Sequence, residues 1–398
     1  MKVILSSILG LVIGVILGWY LFFVSPQTLV HIKRMIFSEK KISTSPQKEI
    51  IGFLPYWLVG KGKSDYRNEI TTLTYFGLTI GTNGHIQYLA NDTEEEPGYH
   101  ALKSNALHTV FTNAKKNDQI LSLLVFSGDS DAIDSLISNP KTHGKNLVAD
   151  VTPIMKTYGF TDLNIDIEST KIASDTAREN LTIFVKTVVE EISQEDLGTI
   201  TIEVTGNDFI KKQLINVKDI AFLVDYVVLM AYDFHYQGSA VTGPVAPLGG
   251  GSTEAEFDTN IALSQAYKVV PKEKLILGVP TYGYSWETLT KTPRSATLPG
   301  SGITITSKKG EAFLRACGSC SAVLDTKAQE NFIVYKDGDT GTYHQLYIQD
   351  ETTMQEKVNL VEKVNIAGMA IWALGYENGG ILQPIASYKQ DIVDMSRL

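Results

Sequence analysis

Cysteine is scarce: among 398 residues only Cys317 and Cys320 occur, in the run Cys-Gly-Ser-Cys. A four-cysteine zinc site needs a second pair, and none exists. Nor does the run open a strand-to-helix junction near the chain start, as a thioredoxin-like pair does. A local disulfide or two inert thiols remain, with a redox pair as the lesser alternative. The seven histidines include no His-Glu-x-x-His pair and no close cluster with acids, so no metal site is expected. No Gly-x-Ser-x-Gly elbow is present. The glycines at 249–251 are not followed by Lys-Ser/Thr, which argues against a phosphate-binding loop, and no cofactor is expected. Positive charge is also short. The formal net charge is −9, the pI is about 5.4, and no basic stretch is interleaved with aromatics, which excludes a nucleic-acid partner. Internal repeats and low-complexity tracts are absent. What is there is 43 % hydrophobic and 20 % charged, the balance of a folded body with a substantial core.

The N-terminus carries a long uncharged run, Val3 to Val24, of a length that spans a bilayer as a helix. No small-x-small cleavage site follows, so residues 1–24 read as a retained transmembrane signal anchor and 25–48 as a polar stalk. Gly10, Gly14 and Gly18 would share one helix face, where anchor helices could self-associate. Lys33, Arg34, Lys40 and Lys41 beyond the run would hold the body inside by the positive-charge rule. The function argued below asks for a membrane-anchored body on the extracytoplasmic side.

From Glu49 onward, apolar β-rich runs alternate with helical patterns. The candidate strands are Ile50–Tyr56, Leu73–Ile80, Ile120–Phe126, Asp162–Glu168, Ile200–Thr205, Tyr226–Tyr232, Leu275–Pro280 and Gly368–Trp372. Eight strands separated by helices predict an α/β fold, a closed (β/α)₈ TIM barrel over 49–398. Residues 287–343 lose the alternation and read as a small insertion between strands seven and eight. Thr176 with Glu179 suggests a capping box. Leu181, Phe184, Val185, Val188, Val189 and Ile192 then give one apolar helix face.

The fourth strand carries the chemistry. Leu163, Ile165 and Ile167 face one way, while Asp162, Asn164, Asp166 and Glu168 face the other. On a half-exposed antiparallel strand that would be an ordinary wet face. In a parallel barrel both faces are covered, and interior acids must pair or hold protons. Same-face neighbours lie about 6.5–7 Å apart at Cα. Glu168 would therefore sit at the C-terminal mouth with Asp166 one step below, raising its pKa. A carboxyl kept neutral near pH 7 can give a proton to a leaving oxygen.

Thr161-Asp-Leu-Asn-Ile-Asp-Ile-Glu168 resembles the strand-four signature DGxDxDxE of family-18 glycoside hydrolases, the chitinase-like group. Met230-Ala-Tyr-Asp233 resembles its MxYD element, and Gly368-Met-Ala-Ile-Trp372 its last strand. Gly52-Phe-Leu-Pro-Tyr-Trp57 and Gly278-Val-Pro-Thr-Tyr-Gly-Tyr-Ser-Trp286 resemble its first and seventh strands. Tyr232-Asp-Phe-His235, Gly238-Ser239 and Gly243-Pro-Val-Ala-Pro-Leu248 are similar to the spore-germination and cortex-lytic branch, which acts on peptidoglycan. The resemblance implies hydrolysis of a β-1,4-linked N-acetylglucosamine-containing polysaccharide, peptidoglycan or chitin-like, with the substrate's own acetamido oxygen as nucleophile. By position, Glu168 is the acid/base, Asp166 orients the acetamido group, and Tyr232 donates a hydrogen bond to it. Asn164, Met230 and Asp233 would bind substrate, Trp372 would floor the sugar, and Tyr56 would wall it. Trp57 and Tyr284 read first as core. Two departures stand out: Thr161 and Asp162 replace the first Asp-Gly, which would shift a proton relay by one position, and Asn164 replaces the middle acid. A non-catalytic glycan-binding barrel and a wall-remodelling transglycosylase are the alternatives.

Overall fold

The computed structural model describes residues 48–396, apart from Glu254 and Ser319. The expected anchor, its glycine face and the stalk up to residue 47 lie outside the described residues. Among the described residues, no helix is long and apolar enough to cross a membrane.

In chain order, β1 (Glu49–Pro55), β2 (Thr72–Thr79), β3 (Ile120–Ser127), β4 (Asp162–Ile167), β5 (Thr199–Thr205), β6 (Tyr226–Met230) and β7 (Leu275–Pro280) are parallel neighbours. Five further strands intervene: β8 (Tyr282–Thr288), β9 (Ile303–Thr306), β10 (Val323–Asp325), β11 (Glu330–Lys336) and β12 (Tyr343–Ile348). β13 (Gly368–Trp372) then pairs with both β7 and β1 and closes an eight-stranded parallel barrel. Each strand end expected from the sequence lies within two residues of the observed one.

Alternation along β4 sorts the side chains. Leu163, Ile165 and Ile167 join a large apolar cluster with helix residues such as Leu147, Phe184, Val185 and Val188. Each such buried side chain contributes roughly 1.5–3 kcal/mol. Ile51, Phe53, Leu124, Val228, Ile276 and Ala370 form a smaller cluster of their own, on the opposite faces of their strands. That cluster packs the barrel axis, and Asp162, Asn164 and Asp166 share its side of the sheet. The helix Asp175–Gln194 buries Leu181, Phe184, Val185, Val188, Val189 and Ile192. Its cap is Ser174, whose hydroxyl accepts from the Ala177 N–H at 3.1 Å. Thr176 already lies in the first turn, so the Thr176–Glu179 box does not form.

The insertion is larger than 287–343 suggested. Strands β8 to β12 form an antiparallel sheet in the order β10-β11-β12-β8-β9, and Ser307–Ala316 is helical. It begins at Tyr282, with Thr281 alone between β7 and β8, so no polar loop marks the change of sheet. Thr281 donates its backbone N–H to the Trp372 carbonyl at 2.8 Å, and its hydroxyl bonds Ala373, so the barrel rim and the inserted sheet meet at one side chain. Farther in, the Glu330 carboxylate accepts from Val245 N, Ala246 N and Gln349 Nε2 at 2.7, 2.8 and 2.6 Å. Lys357 Nζ lies 3.6 Å from it, and both side chains are fully buried. Cys317 and Cys320 form the local disulfide.

Candidate active site

The C-terminal mouth of the barrel opens into a hollow of about 880 Å³. β4 ends at Ile167, so Glu168 is the first residue beyond the strand, and its N–H still donates to the Ser127 carbonyl at 2.9 Å. That bond holds the backbone straight and aims the Glu168 side chain into the hollow beside Asp166. Asp166 is 4 % exposed, whereas Glu168 stands open to the hollow.

Among the described residues, six carboxyl groups line this space, from Glu96, Asp166, Glu168, Glu203, Asp233 and Glu256, and no lysine, arginine or histidine does. Without cations, the inner acids must be balanced by protons. Burial pushes Asp166 well above the ordinary carboxyl range, and the charges of Glu168 and Glu203 push it further. Enclosure by protein raises Glu168, and Asp233 and Asp208 add to the effect. The upward shift favours the protonated form of Glu168 at a position open to the hollow, the condition for donating a proton to a leaving group.

Tyr232 also faces the hollow. Burial keeps its hydroxyl protonated, and the neighbouring acids reinforce this, so it is a hydrogen-bond donor at any ordinary pH. Space for its ring depends on Gly278. A Cβ there would lie 2.9 Å from the Leu229 carbonyl oxygen and 3.2 Å from Tyr232 Cε1. Asp233 follows with φ +56°, a left-handed conformation that aspartate tolerates better than most residues. Its Oδ1 accepts from Tyr282 and Tyr284 at 2.5 and 2.9 Å.

An aromatic wall completes the hollow. Trp372 sits with ring centroids 5.2 Å from Phe76, 5.8 Å from Phe53 and 6.3 Å from Trp57. Tyr56 and Met230 line the same space. A sugar presents C–H groups on its faces, and such groups pack on aromatic rings while its hydroxyls reach the acids.

Of the residues singled out from sequence, Glu168, Asp166, Tyr232, Met230, Asp233, Trp372 and Tyr56 are thus brought together. Asn164 is not among the lining residues. Two positions earlier on β4, it lies one layer deeper, is fully buried, and donates Nδ2 to Glu203 Oε1 at 2.9 Å. The one-position relay shift through Asp162 is not seen either. Asp162 sits deeper still, accepting from the Ser122, Thr199 and Thr201 hydroxyls at 2.6, 2.7 and 3.1 Å. Trp57, read as core, is 37 % exposed and lines the hollow. Tyr284 is buried as expected, though its hydroxyl serves Asp233.

Glu203, Glu96, Glu256 and Phe126 were not anticipated. For Glu203 a signal existed: Ile200, Ile202 and Val204 alternate with Thr201, Glu203 and Thr205, the pattern already recognised on the neighbouring strand. Glu96 and Glu256 lie on loops without periodicity.

A closed parallel barrel with clustered buried acids and an aromatic wall at its C-terminal mouth defines a barrel enzyme acting on sugars. The chain belongs to the glycosyl hydrolases family 18, whose profile matches residues 49–377, and it is a glycosidase of the chitinase-like kind. It is 25 % identical over 253 residues to the cortical fragment-lytic enzyme of Bacillus subtilis (strain 168), covering 62 % of this chain and 54 % of that protein. The chain therefore spans about half the length of that relative. In fold it is similar to the spore cortex-lytic enzyme SleL of Bacillus cereus, with TM-score 0.69, 19 % identity and coverage of 86 % and 74 % of the two chains. It is also similar to the Group IV chitinase of Ostrinia furnacalis in complex with allosamidin, with TM-score 0.74, 18 % identity and coverage of 88 % and 99 %.

Proposed function

We propose that the protein hydrolyses β-1,4-linked N-acetylglucosamine-containing glycan, peptidoglycan or chitin-like, with retention of configuration and the substrate's acetamido group as nucleophile. The observation that carries this reading is Asp166 and Glu168 side by side in a cation-free hollow walled by Trp372. Glu168 gives its proton to the glycosidic oxygen as the acetamido oxygen closes on the anomeric carbon, then takes a proton from the incoming water. Asp166 and Tyr232 hold the acetamido group, the carboxyl answering the positive charge that develops and the phenol donating to its oxygen. Such a scheme departs from the usual pair of enzyme carboxylates because one partner belongs to the substrate. The cortical fragment-lytic relative supports a wall glycan, and the Ostrinia chitinase supports a chitin-like one. An anchor over residues 1–24 would hold the barrel at the outer membrane face, and fractionation with protease shaving tests that placement.

The full chain is incubated with purified peptidoglycan and with chitin oligomers, and products are read by mass spectrometry. Glu168→Gln is expected to lower turnover by about 10²–10⁴-fold while oligomer binding persists. Unchanged turnover in that variant removes Glu168 from the chemistry. Binding without cleavage by the native chain would turn the reading to a sugar-binding barrel, and sugar transfer exceeding hydrolysis to a transglycosylase.

A further inference from the structure

In β4 and β5 the register runs Asp162 with Thr199, Asn164 with Thr201 and Ile165 with Ile202. Continued one step, it sets Asp166 level with Glu203 on adjacent strands, about 4.8 Å apart in parallel sheets, with both side chains on the barrel-interior face. Both line the hollow, and they are 4 % and 2 % exposed.

Three buried acceptor oxygens here have no hydrogen-bond partner: Asp166 Oδ1 and Glu203 Oε2 at this level, and Asn164 Oδ1 one layer below. Buried polar atoms in folded proteins are rarely left so, and a cluster of unpartnered acceptors points to a missing donor. No cation lines the hollow to supply one. The titratable groups facing the pair are Asp162 below, Glu168 above and the Tyr232 hydroxyl across the barrel. Every one of these is an acid. A proton on one carboxyl turns an acceptor into a donor, and two carboxyls this close cannot both be ionised without a compensating charge.

We propose that Glu203 is a positioning residue that shares one proton with Asp166, receiving it on Oε2 when Asp166 becomes anionic and returning it afterwards. The inference rests on the glycosidase reading above and adds a residue from a different strand to it. In the transfer an O–H bond breaks at Asp166 and one forms at Glu203, so the pair keeps a single negative charge throughout. The Asn164 amide, donating to Glu203 Oε1 at 2.9 Å, occupies that oxygen and leaves the unpartnered Oε2 for the shared proton. Asn164 cannot accept the proton itself, because an amide nitrogen is not basic. Glu203 supplies that capacity from the neighbouring strand.

The test compares the native chain, Glu203→Gln, Asn164→Asp and the double variant. Each is measured for kcat and KM against pH on an N-acetylglucosamine oligomer, and for carboxylic-acid C=O absorption by infrared difference spectroscopy at neutral pH. Glu203→Gln is expected to lower kcat about 100-fold with little change in KM. The acid limb of its kcat/KM profile should move to higher pH, because a lone buried Asp166 regains a proton sooner than a pair already sharing one. Asn164→Asp in that background places a carboxyl beside Asp166 again and should move the limb back. The native-minus-Glu203→Gln spectrum should contain a protonated-carboxyl band. An unmoved acid limb, equal loss at every pH without recovery in the double variant, or absence of the band would each overturn the proposal. If the native chain does not cleave the oligomer, the glycosidase reading fails on that substrate, while the infrared band still decides whether the Asp166–Glu203 pair holds a proton.

Discussion

Tyr282 donates its phenol hydrogen to Asp233 across 2.5 Å, and this bond joins the inserted sheet to the loop leaving β6. Tyr284, two residues along the same strand, donates to the same oxygen. The insertion is therefore part of the site's wall. It supplies the donors that keep Asp233 more acidic than its enclosure alone would allow.

Tyr282→Phe should move the alkaline limb of the kcat/KM profile to lower pH. With one donor lost, Asp233 binds its proton more tightly and is less often charged. Its charge is one cause of the raised Glu168, so Glu168 then loses its catalytic proton sooner. The lost bond should also cost about 1–2 kcal/mol of stability. The pH–rate profile and a denaturant titration check the two parts; an unchanged alkaline limb would sever the link between Asp233 and Glu168.

Asp162 gives a stability prediction with a defined window. Burial raises its pKa to about 6, against the hydroxyl bonds that lower it, while an unfolded aspartate titrates near 3.9. A carboxyl with a raised folded pKa stabilises the protein below the unfolded value, and the contribution is lost as pH rises through the folded one. The gap corresponds to roughly 3 kcal/mol, lost between about pH 4 and about pH 6. Asp162→Asn should lack that decline. Urea midpoints at the two ends of the window, compared with the native chain, decide it; parallel slopes would refute the assignment.

Lys357→Met should be severely destabilising, by about 3–5 kcal/mol, because Glu330 would remain buried without its cation. Adding Glu330→Gln to that variant should recover part of the loss. Thermal melts of the single and double variants measure both effects. If the single variant melts like the native chain, the buried pair does not hold the insertion to the loop at Val245 and Ala246.

Substrate chemistry offers a further check. If the acetamido oxygen is the nucleophile, N-acetylated oligomers should be cleaved and fully de-N-acetylated ones should not. Product analysis of the two under the same conditions is sufficient. Efficient cleavage of the free amine would falsify substrate assistance.

Much of this architecture is legible in the sequence because it depends on period-two alternation. Leu163, Ile165 and Ile167 against Asp162, Asn164, Asp166 and Glu168 specify both a strand and its two environments. What alternation cannot convey is depth along the barrel axis, and so it places Asn164 with the site although that side chain lies beneath it. Neighbouring strands also matter. Glu203 shows the same pattern within β5, but its partnership with Asp166 exists only through the register of the two strands. Trp57 illustrates a third limit: in a short helical turn after β1, exposure is set by the loops that surround it. The start of the insertion is hidden because only Thr281 separates β7 from β8, with no turn-rich loop to mark the change of sheet.

The lack of any basic side chain among the described residues lining the hollow has a broader consequence. With no fixed positive counter-charge among the described lining residues, burial and mutual repulsion drive these acids toward binding hydrogen ions from the surroundings. Ambient acidity thus acts as a component of the machinery, and the compartment in which the enzyme works sets how much of it is assembled at any moment.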